Sequence, residues 1–217
     1  MTEDVRDRIA ARAAAELRAG EVVNLGIGIP NLIPAFLGDD GIAGVHVHTE
    51  NGLLGVGPRP VAGSEIDPDL IDAAKLPVTA VAGAAYFDSA ASFAMIRGGH
   101  VDVAVLGALQ VSIAGDVANW AVPGRDVLGV GGAMDLVSGA GRVIVTMTAT
   151  TGRGEPKLVD ACTYPLTARA ACDVLITEQA VFRLRDGHLV LTELLGDTTL
   201  ADVAATTTAS YEIDLEG

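Results

Sequence analysis

Apolar residues recur at every fourth position from Val5 through Ile9 and Ala13 to Leu17, which predicts an amphipathic helix over residues 3–19. Thr2 can cap its start and Gly20 its end. Short apolar runs at 22–25 and 45–49 read as strands, separated by Gly26-Ile27-Gly28-Ile29-Pro30 and a short helix over 31–37 closed by Gly38. A polar stretch follows from Pro58 to Asp69, then a helix near 69–74 and a strand at 78–82. Residues 88–97 read as a helix ending before Gly98-Gly99. Val101 to Leu106 are apolar almost without a break, as expected of a strand covered on both faces. Further strands are expected at 142–147, 173–177, 180–184 and 188–192, and a last helix over 199–205 with Thr198 as its cap. Strands alternating with helices predict an α/β fold, a mostly parallel sheet with helices on both faces, formed by residues 1–217 as one domain. In such sheets ligands bind at the carboxyl ends of the strands.

Composition narrows the partners. The chain has 217 residues, half of them apolar, and a formal charge of 14 − 28 = −14, which argues against nucleic acid or an anionic membrane surface. Lysine is confined to Lys75 and Lys157. Cys162 and Cys172 fit two thiols in a reducing compartment. No apolar stretch reaches bilayer length and the charged start lacks a signal-peptide core, so a cytoplasmic location is expected.

Four segments carry candidate chemistry. Gly26 to Asn31 lies between a strand and a helix, where free amides either receive an anion or simply turn the chain. It lacks the third glycine of a dinucleotide fingerprint. Gly129-Val130-Gly131-Gly132 precedes a helical stretch, and its amides serve either an oxyanion or close packing. His46, His48 and Glu50 share a strand face, but neighbours roughly 7 Å apart are wide for metal chelation. Ser92 to Asp102 reads as a helix, its cap and the next strand. Glu50 draws most attention, because a carboxylate at a strand end beside a turn is open to a substrate as acid, base, ligand or nucleophile.

Taken in order, several words resemble one family, the B subunits of the 3-oxoacid (family I) CoA-transferases. They are Asn24-Leu25-Gly26-Ile27-Gly28-Ile29-Pro30, Glu50-Asn51-Gly52-Leu53-Leu54-Gly55, Phe93-Ala94-Met95-Ile96-Arg97-Gly98-Gly99-His100 and Leu106-Gly107-Ala108-Leu109-Gln110-Val111-Ser112. Ala118-Asn119-Trp120, Gly131-Gly132-Ala133-Met134-Asp135-Leu136 and Cys162-Thr163-Tyr164-Pro165-Leu166-Thr167 continue the likeness, which runs from about residue 5 to residue 208.

The resemblance implies that Glu50 attacks an acyl-CoA and carries CoA as a glutamyl thioester, in ping-pong fashion. It implies that the Gly132 amide, or Gly131 one residue away, donates to the oxyanion. Asn24 would belong to the wall around the CoA arm, and Lys75 would contact CoA. Gly26, Gly28, Asn51 and Gly52 would complete the binding segments. CoA is then a transferred group, and neither a cofactor nor a metal is required. An A-type partner chain is implied, in an A2B2 assembly, with succinyl-CoA as donor and 3-oxoadipate or acetoacetate as acceptor. The segment 61–69 and the words Cys162-Thr163-Tyr164-Pro165 and Gly154-Glu155-Pro156-Lys157 lean toward the 3-oxoadipate branch. The chain departs from the pattern at Thr49, Ala74 and Ala168. At Thr148-Ala149-Thr150 a Met-acidic-His word is absent, which bears on the acceptor or an interface. An acyl-CoA hydrolase, a sugar-phosphate isomerase using Glu50 as base, or a non-catalytic ligand-sensing subunit would share the fold.

Overall fold

The computed structural model describes residues 3–37, 44–57, 59–61, 63, 66–124 and 129–215. The expected cap at Thr2, the helix stop at Gly38 and parts of the 58–69 stretch lie outside them. The chain begins with α1 (Glu3–Ala14), β1 (Val22–Leu25), a 3-10 helix (Pro30–Phe36), β2 (His46–Thr49), β3 (Leu53–Val56) and β4 (Ala80–Tyr86). It continues with α2 (Ser89–Arg97), β5 (Val103–Gly107), β6 (Gln110–Ser112), β7 (Val117–Ala118), α3 (Ala133–Gly139) and β8 (Arg142–Thr146). Then come β9 (Leu158–Val159), β10 (Val174–Ile176), β11 (Ala180–Arg185), β12 (His188–Leu194), α4 (Leu200–Thr206) and β13 (Glu212–Ile213).

Among the described residues ten strands form one sheet in the order β13-β12-β11-β10-β8-β5-β1-β2-β3-β4, and β7-β6-β9 form a smaller one. The middle run β10-β8-β5-β1-β2 is parallel, and antiparallel pairs extend it on both sides. Alternation along the parallel strands feeds two cores. Val103, Val105 and Ile144 face α1 and the 3-10 helix, packing with Ile9 and Ile33. Ala104, Leu106, Val143 and Val145 face the other way, packing with Ile96 of α2, Leu136 of α3 and Val203 of α4. Helices therefore cover both faces, as the sequence pattern predicts. Each such buried aliphatic side chain contributes about 1.5–3 kcal/mol. Among the described residues no helix is long and apolar enough to cross a membrane.

Several expectations are corrected. Residues 69–74 form a turn closed by an Ile71–Pro77 bridge. Asp72 accepts from the Leu76 amide at 2.9 Å, and Lys75 takes φ 62°. A short acidic side chain that bonds its own backbone competes with helix, and a proline follows. The first helix stops at Ala14 instead of residue 19, because the Glu16 and Leu17 amides tighten to i−3 carbonyls. Thr199, not Thr198, caps α4, in a reciprocal pair with Asp202. The strand expected at 78–82 lies at 80–86. Both cysteines are free thiols, with Cys172 buried and Cys162 half-buried.

β1 pairs with β2 on one side and β5 on the other, and β5 leads on to β8 and β10. The chain thus reverses its direction of travel across the sheet at β1/β5. Such a reversal leaves a crevice beyond the carboxyl ends of the strands, because the two connections leave on opposite faces.

Candidate active site

Glu50 follows the last residue of β2, in a tight turn to β3. The Thr49 hydroxyl donates to Asn51 Oδ1 at 2.6 Å and accepts from the Ala73 amide at 3.0 Å. Asn51 Nδ2 donates to the Ile71 carbonyl at 2.8 Å. Gly52 sits at φ 119°, where an added Cβ would lie 2.0 Å from the Phe87 carbonyl oxygen, so only glycine fits. Asn51 and Gly52 thus act as architecture: they hold the turn that presents Glu50.

Beneath Glu50 runs a buried polar chain. Asn24 of β1 is wholly buried, and its Nδ2 donates to Glu50 Oε2 at 3.2 Å. The same amide nitrogen lies 3.1 Å from His48 Nδ1, and His48 Nε2 lies 3.1 Å from the Ser92 hydroxyl on α2. An amide nitrogen can only donate, so His48 Nδ1 accepts and Nε2 carries the proton. Both protons of the amide are then used, which fixes its orientation and leaves Asn24 Oδ1 without a partner among the described residues. Burial pushes the His48 pKa down to about 4, and the ring stacks on Phe87 at 5.8 Å. His48 is therefore neutral near pH 7. His46, its neighbour on the strand face, is exposed. With both ring nitrogens of His48 engaged, the His46/His48/Glu50 metal reading has no geometric support.

This histidine also makes stability depend on pH. The unfolded chain binds a proton on it below pH 6.5, while the folded chain takes it up only near pH 4. The stabilisation is complete above pH 6.5 and is lost as pH falls toward 4. His48→Gln is expected to flatten this part of a urea-midpoint profile; an unchanged slope contradicts the assignment.

A cleft of about 580 Å³ opens above the strand ends. Its wall includes Gly26, Ile27 and Gly28 after β1, Glu50 after β2, and Gly107 to Leu109 at the end of β5. Thr146 to Thr148 at the end of β8 and Gly129 to Ala133 before α3 complete that wall. Gly132 meets Glu50 here. A Cβ on Gly132 would stand 3.6 Å from Glu50 Cγ and 3.1 Å from Phe93 Cζ. The Gly132 amide donates to no described residue, which leaves it available beside the carboxylate.

The structure thus brings Glu50, Gly131, Gly132, Gly26 and Gly28 to one cleft. It puts Asn24 behind Glu50 instead of on the wall, and Asn51 and Gly52 in the supporting turn. Lys75 is exposed on the 71–77 turn and does not line the cleft. Three residues of note were given no role from the sequence. Ser92 was hidden in an ordinary amphipathic helix. Arg6 and Lys157 line the cleft, and in the sequence Lys157 stood out only as one of two lysines and as part of the word Gly154-Glu155-Pro156-Lys157.

The family model described as coenzyme A transferase matches residues 6–203. The beta chain of a probable coenzyme A transferase of Bacillus subtilis is 50% identical over 97% of this chain and 95% of that protein. The B chain of a probable succinyl-CoA:3-ketoacid coenzyme A transferase of the same organism is 48% identical over 97% of this chain and 96% of its own length. The beta chain of the acetate CoA-transferase of Escherichia coli is also 48% identical, over 97% and 94%. A solved acyl-CoA transferase of Escherichia coli O157:H7, a thioester complex with CoA, has a TM-score of 0.78 at 24% identity and shares the fold. That match covers 100% of this chain and 43% of the solved one.

Proposed function

Because this chain belongs to the coenzyme A transferase family, we propose that it is the catalytic B-type subunit of a succinyl-CoA:3-oxo-acid transferase, with Glu50 as the nucleophile. One observation carries the reading. A partly buried carboxylate is held by a buried amide at 3.2 Å beside Gly132, whose own amide donates to no described residue, in a cleft at the strand ends.

In this reading one Glu50 oxygen attacks the thioester carbon of the donor. The carbonyl oxygen becomes an oxyanion within reach of the Gly132 amide. CoA leaves as thiolate, giving a mixed anhydride. The thiolate then attacks the Glu50 carbonyl carbon, expels the donor carboxylate and leaves a glutamyl thioester. The acceptor carboxylate reverses these steps. Charge balances without a net proton transfer, which suits a site whose one nearby histidine is neutral. Asn24 orients the nucleophile, and exclusion of water keeps the thioester from hydrolysis.

Relatives that are themselves the B or beta chains of such enzymes support an A-type partner, which we place in an A2B2 assembly. Lys75 is assigned to the CoA phosphates. Its turn borders that of Glu50 through the bond between Ala73 and Thr49, and a local cation offsets the −14 chain. The acceptor is a 3-oxo acid, 3-oxoadipate or acetoacetate.

With its A-type partner, the chain should exchange labelled succinate into succinyl-CoA with no acceptor present. Gly132→Ala should slow that exchange about tenfold to a hundredfold, by crowding Phe93 and Glu50. A hydrolase would release CoA without exchange, and a sensing subunit would do neither; either result contradicts the reading.

A further inference from the structure

Among the described residues, the charged ones on the cleft wall are Glu50, Arg6 and Lys157. Arg6 is exposed, where water screens its charge. Lys157 is partly buried, and its backbone is fixed on both sides: its amide donates to the Ala149 carbonyl, and its carbonyl accepts from Val111. Its ammonium makes no ion pair among the described residues. Desolvation lowers its pKa to about 8, against the opposing pull of Glu178, whose carboxylate is itself bonded to the Ala149 amide at 2.9 Å. A desolvated cation without a partner is costly, and an arriving anion offsets that cost.

We infer that Lys157 binds a second carboxylate on the substrate, so that the site selects acyl groups ending in a carboxylate over uncharged ones. The inference rests on the transferase reading, which sets the reacting carbon between Glu50 and Gly132. Lys157 lies beside the chain leaving β8, its amide on the Ala149 carbonyl, whereas Glu50 follows β2. From β2 to β8 there are three strand spacings, roughly 14 Å. Glu50 and Lys157 line one cleft, and a span of that order, less the reach of the two side chains, fits an acyl chain of a few carbons. The anion met by Lys157 is then the far end of the acyl group. Thr148 lines the same stretch, its hydroxyl turned to the Thr150 carbonyl at 2.8 Å, and adds no negative charge.

The test compares succinate with butyrate, which differ at the end remote from the reacting carboxylate. Binding of each to the assembled complex is measured by calorimetry, which needs no turnover. Lys157→Met is expected to weaken succinate about tenfold or more and to leave butyrate within about twofold. Thr148→Glu, which supplies an internal counter-ion, should move the same ratio the same way without removing the lysine. Equal losses for both acids, or no loss for succinate, overturn the inference. Isotope exchange by the unaltered complex reports separately on the transferase reading. Exchange with an unmoved ratio sinks only the role of Lys157, whereas a shifted ratio without exchange sinks the transferase reading and keeps the carboxylate site.

Discussion

Glu50→Ala is expected to abolish CoA transfer, by a factor on the order of 10⁴ or more, while the fold survives. The side chain lies at the cleft wall and is not part of either core, so its loss opens no interior cavity. What disappears is the atom proposed to accept the acyl group. Asn24 loses one hydrogen-bond partner at a cost of about 1 kcal/mol, too little to unfold the chain. Glu50→Asp keeps the charge but withdraws it by one methylene from the Gly132 amide, and should lose about a hundredfold. The check is the steady-state rate of each variant with its A-type partner, beside a thermal melt. A Glu50→Ala complex that still transfers CoA contradicts the assignment.

Asn24→Asp is expected to lose about a hundredfold to a thousandfold in kcat, with a shifted pH profile. The change places a wholly buried carboxylate where an amide now donates to Glu50 at 3.2 Å. Two carboxylates at that distance cannot both stay ionised, so the pair retains a proton well above the ordinary carboxylate range. The nucleophile is then partly neutralised near pH 7, and activity should recover as pH rises. Stability moves the opposite way: a folded-state pKa above the unfolded one stabilises at low pH and is lost as pH rises through it. Rising activity with falling stability is the signature of charge repulsion. A loss of activity that is flat with pH would mean that Asn24 serves packing alone.

How far was this legible beforehand? The parallel core was, because runs such as Val103 to Leu106 are apolar on both faces and have no other place to go. Glu50 was also legible, since period-two alternation ends at Thr49 and the next residue is charged. Its meeting with Gly132 was not available from periodicity, because 82 positions separate them; only the family resemblance paired them. The buried chain from Ser92 through His48 and Asn24 was missed for a similar reason. Alternation puts His48 on the face of Glu50, but not which way Asn24, one strand over, turns its amide. The helix expected at 69–74 failed because Leu70, Ile71 and Ala74 imitate helical spacing, while the Asp72 side chain accepts from the Leu76 amide and turns the chain. Strands as short as β7 and β9 have no period to detect, and Lys157 sits at the edge of one of them.

The carboxylate of Glu50 should become covalently bonded to CoA, and everything else in the proposed reaction depends on that bond. The assembled complex is mixed with succinyl-CoA in the absence of acceptor, treated with borohydride or hydroxylamine, digested, and mapped by mass spectrometry. The intact protein should gain one CoA on this chain, and the trapped, modified residue should be Glu50. No CoA adduct, or a trapped residue other than Glu50, contradicts the proposed reaction.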